Sequence, residues 1–477
     1  MLIGFSALGV ETGLWYTIKR VNQTAADVAA LSGAMEVLAG KSYADICGFA
    51  QRDAIRNGYT FSVGWSCPAS TPACTSPPSP GGMCANNPPM QGPYAGNDKA
   101  VEVILAQQQN GHLASIDLAN VTIVTRGVAL AFVVLDEACM LSLNPTASKA
   151  ILIQGNSTIN MPGCSIVSDS TDANAIYLQG TAATVTADTL RSAGGVGTTG
   201  NPTFNLKTPA QTHAPPVPDP YATGVDHTIT VNGTTINLIN GPPAMPTSAC
   251  GAPTPSTIGG VAWCTYASSC KVIQGASGLG CGGGKALMDS NIILSANTQI
   301  SGGINIRGQI VNLSPGTYWI NNGDLQLGPG GGSLLECTTC NGGSLGVTII
   351  FTTTGAANNI GAVQMQSSGA QIGQLNAPNS GTFAGLLFVQ DTVAGANYTT
   401  SGTLQAGPTA ALAADGLVYF PHTSLDFQGT PALGTSGCLI VVADQVHVVG
   451  NSTLSSTGCT SGGGVPPPTV KTVSLKE

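Results

Sequence analysis

The chain has 477 residues, of which 42% are hydrophobic, 8% charged and 63 are glycine. So little Glu, Lys and Arg excludes a coiled coil, glycine without a period of three excludes collagen, and the aliphatic content excludes charge-driven disorder. Fifteen Lys plus Arg against 23 Asp plus Glu, a net charge of −8, build no stripe of phosphate-neutralising side chains and exclude a nucleic-acid partner.

Residues 1–18, MLIGFSALGVETGLWYTI, carry one charge, Glu11, and precede Lys19 and Arg20. As a helix they span about 27 Å, against roughly 30 Å of bilayer hydrocarbon. Trp15 and Tyr16 beside the basic pair read as an interfacial belt, so a transmembrane segment is expected. The basic residues follow the apolar run, which is the wrong order for a signal peptide. The spacing of Ala25, Val28, Ala29, Leu31, Ser32, Met35 and Leu38 continues the helix as a stalk up to a stop at Gly40. Segments 1–40 and 41–137 are expected as an anchor helix and a small α+β module. In the module, 41–62 reads as helix then strand, with Ala44, Ile46, Ala50 and Ile55 on one face. Residues 66–94 read as a Pro- and Gly-rich loop, 99–105 as a strand, and 121–135 as one or two more.

The run 9–34, GVETGLWYTIKRVNQTAADVAALSGA, resembles the amino-terminal signature of TadG-like (TadE/G-like) Flp/Tad pilus-assembly proteins. Glu11, Gly13, Tyr16, Lys19, Arg20, Gln23 and Asp27 fall in that order, while Asn22 stands where the family usually has Leu. The resemblance extends to 139–155, 163–179, 315–323, 381–391 and 416–429, and is weakest over 191–284, where PPVPDPY at 215–221 reads as an excursion across the surface. It implies a pairing of Cys139 with Cys164. It also implies a bacterial cell-envelope protein anchored in the inner membrane by its helix. The body would be periplasmic, extracellular or surface-exposed, and the partners other pilus-assembly or envelope proteins.

From about residue 138 the texture changes. ILIQGNSTINM (151–161), AIYLQGTAATVTA (175–187), ITVNGTTINLI (229–239) and VHVVGNSTLSS (446–456) each place β-formers around Gly155, Gly180, Gly233 or Gly450. Such recurrence with few charges predicts a right-handed parallel β-helix (solenoid) over 138–465, followed by a tail, 466–477. Stacked rungs lie about 4.8 Å apart and place like residues side by side, which favours uncharged outer side chains. The expected fold is therefore mainly β: a long helix, a small α+β module, then the solenoid. A β-sandwich is the structural alternative.

Fourteen cysteines, mostly in loop-like surroundings, predict disulfides and an oxidising compartment. The candidates are Cys67, Cys74, Cys84, Cys139, Cys164, Cys264, Cys270, Cys281, Cys337, Cys340, Cys438 and Cys459. The Cys337/Cys340 spacing lacks the second ligand pair that zinc requires. The run Asp169-Ser170-Thr171-Asp172 reads as a turn rather than a metal motif. Polysaccharide cleavage would need carboxylates gathered on one face. Asp391, Asp415, Asp426 and Asp444 are scattered in sequence and read as solvated, and the five histidines, His112, His213, His227, His422 and His447, read as isolated and structural. No catalytic, cofactor or metal residue is expected. The expected function is non-enzymatic, structural or adhesive, with surface glycans or further copies of the chain as further partners. The alternatives are a polysaccharide-binding or -cleaving protein and a pilin-like filament subunit.

Overall fold

The computed structural model describes residues 2–38, 40–68, 74, 77–110, 120–247, 254–258, 261–265, 272–274, 291–328, 332–340, 345–354, 358–366, 369–406, 414–429, 432–433, 438–456 and 465–475. The fold is mainly β, with large parallel sheets and two helices near the amino terminus. It divides into two compact units: Met1–Leu135 with Val470–Glu477, and Asp136–Thr469.

In the first unit, helix α1 (Leu2–Leu38) buries Ala25, Ala26, Ala29, Ala30 and Ala34. Their small size lets backbones approach closely. A Cβ at Gly127 would stand 2.6 Å from the Ala26 carbonyl oxygen, and one at Gly33 would stand 3.0 Å from Val101. Helix α2 (Tyr43–Arg56) starts at a capping box of Ser42 and Asp45, which satisfies two otherwise unpaired amides. Its buried face is Ile46, Cys47, Ala50 and Ala54, whereas Ala44 and Ile55 are exposed. The expected face is thus rotated, because Cys47 and Ala54 meet α1 and the sheet. No strand follows α2 directly. The first strand, Gly82–Asn86, is fully buried inside the segment expected to be loop, and it pairs antiparallel with Ala100–Asn110. The latter pairs antiparallel with Asn120–Ser142, a single strand where one or two were expected.

The membrane expectation for α1 is corrected. Among the described residues no helix is long and apolar enough to cross a membrane. Lys19, Arg20 and Asp27 interrupt the apolar sequence of α1, and Glu11 and Asn22 are buried on its inner side, where the Asn22 amide donates to Gln107 at 2.8 Å.

In the second unit, successive strands pair in parallel, and three runs of such pairs recur. One passes through Thr298–Ser301, Gly316–Asn321, Val347–Thr352, Leu386–Gln390, Ala414–Gly429 and Leu439–Gly450. A second begins at Ile304–Ile306, Leu325–Leu327 and Val363–Met365 and joins the later halves of the same two long strands. The third runs through Val261–Thr265, Asn291–Leu294, Ile310–Leu313 and Leu334–Glu336, with a matching set through Thr453–Ser455, Thr158–Met161, Thr184–Ala187 and Thr203–Leu206. Chain order and spatial order differ. Leu439–Gly450 pairs with the preceding strand on one side and, on the other, with Met140–Ser142 and Ile151–Gly155 from three hundred residues earlier.

The registers line up one residue per strand. Tyr318, Ile349, Phe388, Val418, Val441, Met140, Ile166 and Leu190 follow one another across consecutive pairs, all at most 2% exposed. Glycine forms another line. Gly450, Gly155 and Gly180 have φ of 90°, 86° and 141°, a region closed to most side chains. A Cβ on Gly155 would stand 2.7 Å from the Gly450 carbonyl oxygen, and one on Gly180 would stand 2.5 Å from that of Gly155. The repeated Asn-Ser-Thr tripeptides therefore meet: Asn156 Nδ2 donates to Asn451 Oδ1 at 3.0 Å. Gly233 lies elsewhere, in the turn between the antiparallel strands Thr228–Val231 and Thr234–Asn237. An outward line, Asn305, Gln326, Gln364, Thr403, Asp426 and His447, is uncharged as far as Asp426, which meets His447 Nδ1 at 2.8 Å.

Candidate functional site

Residues 215–238 lie across the second unit and are tied to it by polar contacts. Asp169 accepts from the Val217 amide at 2.7 Å, and Arg191 donates to the Pro215 carbonyl at 3.4 Å. The Tyr419 hydroxyl donates to Asp219 at 2.8 Å, and the indole N–H of fully buried Trp319 donates to the Leu238 carbonyl, also at 2.8 Å. The Asp226 carboxylate accepts from the Ala394 amide at 2.9 Å. The His227 amide donates to the Thr392 carbonyl, and its ring Nδ1 lies 2.6 Å from Asp391 Oδ2.

Between this segment and the strands lies a cleft of about 760 Å³. Pro216, Val217, Pro218 and Val225 form one wall, and Val393, Ala394, Tyr398, Pro421 and His422 another. Its charged lining consists of Asp169, Asp219 and Asp226. The Tyr398 and His422 rings are 4.1 Å apart between centroids. Behind the Thr392 wall, Asp391 is fully buried. Its Oδ2 accepts from Thr352 at 2.6 Å as well as facing His227, and its Oδ1 has no hydrogen-bond partner among the described residues.

Burial, only partly offset by the Val217 amide and Arg191 and reinforced by Asp219, pushes the Asp169 carboxyl up from 3.8 to about 6. The hydrogen bond to Asp391 raises His227, and burial lowers His422, favouring its neutral ring. A carboxyl raised on folding binds its proton more tightly when native, so its contribution favours folding at low pH and is lost as pH rises from about 4 to 6. Asp169→Asn removes that loss while keeping an acceptor for Val217. Denaturant titrations should show the variant gaining on the wild type by at most about 3 kcal/mol between pH 4 and pH 7. A pH-independent difference would refute the assignment.

The expected site residues are dispersed. Of the cysteines, Cys139 is bonded to Cys164, Cys74 to Cys84, and Cys337 to Cys340. Cys67 is bonded to Cys47, which is not among the expected candidates, and Cys438 is disulfide-bonded. Cys264 is on the strand Val261–Thr265, while Cys270, Cys281 and Cys459 lie outside the described residues. In α1, Tyr16 is 65% exposed, Lys19 and Arg20 are exposed, and a Cβ at Gly13 would meet open space. Gln23 donates to Asp27 and to the Arg126 carbonyl.

The solvated reading of the carboxylates is corrected in part. Asp391 is fully buried against His227, Asp426 meets His447 at 2.8 Å, and Asp444 accepts from Asn144 at 3.0 and 3.1 Å. Asp415 lies on the strand Ala414–Gly429. Two of the histidines expected to be isolated, His227 and His447, are therefore paired with carboxylates, and His112 lies outside the described residues. Asp172 accepts from the Asn174 amide within a turn, whereas Asp169 and Ser170 of the same run are buried rather than solvated. The cleft itself escaped sequence reasoning, because Asp169 lies fifty or more residues before Asp219 and Asp226, and Asp219 sits among prolines. The only sequence signal was the Pro-rich run 215–221. Compared with protein-family models, curated proteins and solved structures, the chain matches none of them.

Proposed function

We propose that the second unit is a right-handed parallel β-helix and that the protein is a non-enzymatic, exported structural or adhesive component of a bacterial cell envelope. Its association would be with Tad-type pilus assembly, as the resemblance of residues 9–34 implies. The observation that carries this reading is the combination of disulfides with parallel strands whose neighbours stack residue on residue. Disulfides are kept in oxidising compartments. Stacked parallel strands with few charged side chains suit a rigid, extended body whose polar face is repeated along its length.

The test is cell fractionation followed by non-reducing peptide mapping of the native protein. The expected result is recovery in the envelope or extracellular fraction with the Cys139–Cys164 and Cys47–Cys67 peptides linked. Recovery from the cytosol with those thiols reduced would overturn it.

A second reading, a polysaccharide-binding or -cleaving protein, draws on the cleft, where Asp169, Asp219 and Asp226 share one lining. Cleavage by paired carboxylates needs one to donate a proton and another to act as base or nucleophile. Asp219 already accepts from the Tyr419 hydroxyl and the Tyr221 amide, which assigns it to holding the wall. That leaves binding as the stronger form of this reading.

A further inference from the structure

The lining of the cleft is lopsided in hydrogen-bonding capacity. Its donors are largely spent inside the protein. The Val217 and Ala394 amides go to Asp169 and Asp226, and the Val393 amide goes to the Tyr398 hydroxyl. The Tyr398 hydroxyl in turn donates to the Val393 carbonyl, and the Thr171 hydroxyl to that of Pro145. Acceptors remain: Asp169 and Asp226 each use one carboxylate oxygen in these bonds, and each carboxylate has about four lone-pair sites. Among the described residues the lining contains three carboxylates and neither lysine nor arginine, while Arg191, outside the lining, partly compensates Asp169.

A neutral sugar presents donors and acceptors in equal measure and would find few side-chain donors here beyond the Thr392 hydroxyl and the His422 ring. An anion would be repelled. A group made only of donors and carrying positive charge fits. The adjacent Tyr398 and His422 rings, tilted by 34° to each other, offer an aromatic surface to such a group, and the prolines and valines of the walls offer apolar contact to the stem that bears it. The volume, about 760 Å³, is that of a site for a ligand larger than a single side chain.

We propose that this cleft is a binding site for a cationic group on an apolar stem, an ammonium or guanidinium as carried by a Lys or Arg side chain of a peptide or by a free polyamine. Asp169 and Asp226 accept its N–H groups, the Tyr398–His422 pair takes its face, and Pro216, Val217 and Val393 cover its stem. The site lies beyond the envelope reading and requires no particular compartment.

The test uses the full chain with oxidised disulfides and isothermal titration calorimetry. Four probes are compared: the capped peptide Ala-Pro-Arg-Pro-Ala, its citrulline counterpart of the same shape without the charge, cadaverine, and cellotetraose. The expected result is that the arginine peptide or cadaverine binds at least tenfold more tightly than the citrulline peptide and cellotetraose, with affinity falling as salt rises. The tighter of the two cations identifies the source as peptide or polyamine. Asp226→Asn keeps an acceptor for the Ala394 amide and should weaken the cation about fivefold, more than it weakens any residual binding of the citrulline peptide. Equal binding of the arginine and citrulline peptides, preferential binding of cellotetraose, or no binding of either cation at millimolar concentration would each overturn the proposal. The wild-type comparison decides even if the variant fails to fold.

Discussion

Replacing Arg126 by alanine is expected to destabilise the first unit by about 3–5 kcal/mol, the range for removing one partner of a buried ion pair. Glu102 is fully buried, and its carboxylate meets the Arg126 guanidinium at 2.5 Å. The other Glu102 oxygen accepts from Asn86 Nδ2 at 2.7 Å and from the Met90 amide at 3.0 Å. This carboxylate therefore holds together the strands Gly82–Asn86, Ala100–Asn110 and Asn120–Ser142 and the segment after the first of them. Removing the guanidinium leaves a charge in the interior with two neutral donors, a costly arrangement. Arg126→Ala paired with Glu102→Gln should recover much of the loss, because an amide has no charge left to compensate. Denaturant unfolding of the two variants measures both effects. A loss below about 1 kcal/mol for Arg126→Ala would show that the pair is solvated in solution.

Trp319→Ala should cost a similar amount, about 3–5 kcal/mol, as large aromatic truncations in cores do. Trp319 points away from the line of Tyr318 and its stacked neighbours, since adjacent residues on a strand face opposite sides. It is nevertheless fully buried, and its N–H is bonded to the Leu238 carbonyl. The cover comes from the segment that also walls the cleft. The variant should therefore lose hydrogen-exchange protection first at the hairpin Thr228–Val231 and Thr234–Asn237, and only later at Val347–Thr352. Trp319→Phe should keep most of the packing and lose the single hydrogen bond, at about 1 kcal/mol. Uniform loss of protection through the second unit would mean that Trp319 supports the strands rather than the cover.

The two variants probe contacts that differ in how far they could be read beforehand. The Glu102–Arg126 pair joins residues on strands that the alternation of 99–105 and 121–135 had marked, yet nothing in that alternation says that a glutamate faces inward. The cover over Trp319 belongs to residues 215–238, far from it in the chain. Its role depends on Asp219 meeting Tyr419, two hundred residues further on, and on Asp226 meeting Ala394. The Cys47–Cys67 bond shows the same limit, since helical spacing placed Cys47 among apolar neighbours and said nothing about which loop would reach it.

Local periodicity by itself determined the helix of residues 2–38, the mainly β character beyond residue 138, the recurrence of Gly155, Gly180 and Gly450, and the fitness of most cysteines for disulfides. These features depend on neighbours in the chain: side-chain spacing, turn chemistry and the absence of charge. The tertiary structure decided what depends on partners far along the chain. It seated the strands of 138–155 against 439–450 and so brought the two Asn-Ser-Thr turns into contact. It buried Glu11 and Asp391, and it assembled the cleft from five separate segments. It also set the inner face of α1 against a sheet through its alanines, because small side chains bring two backbones close enough for dispersion contact, and the composition of the helix alone does not specify which surface will accept that face.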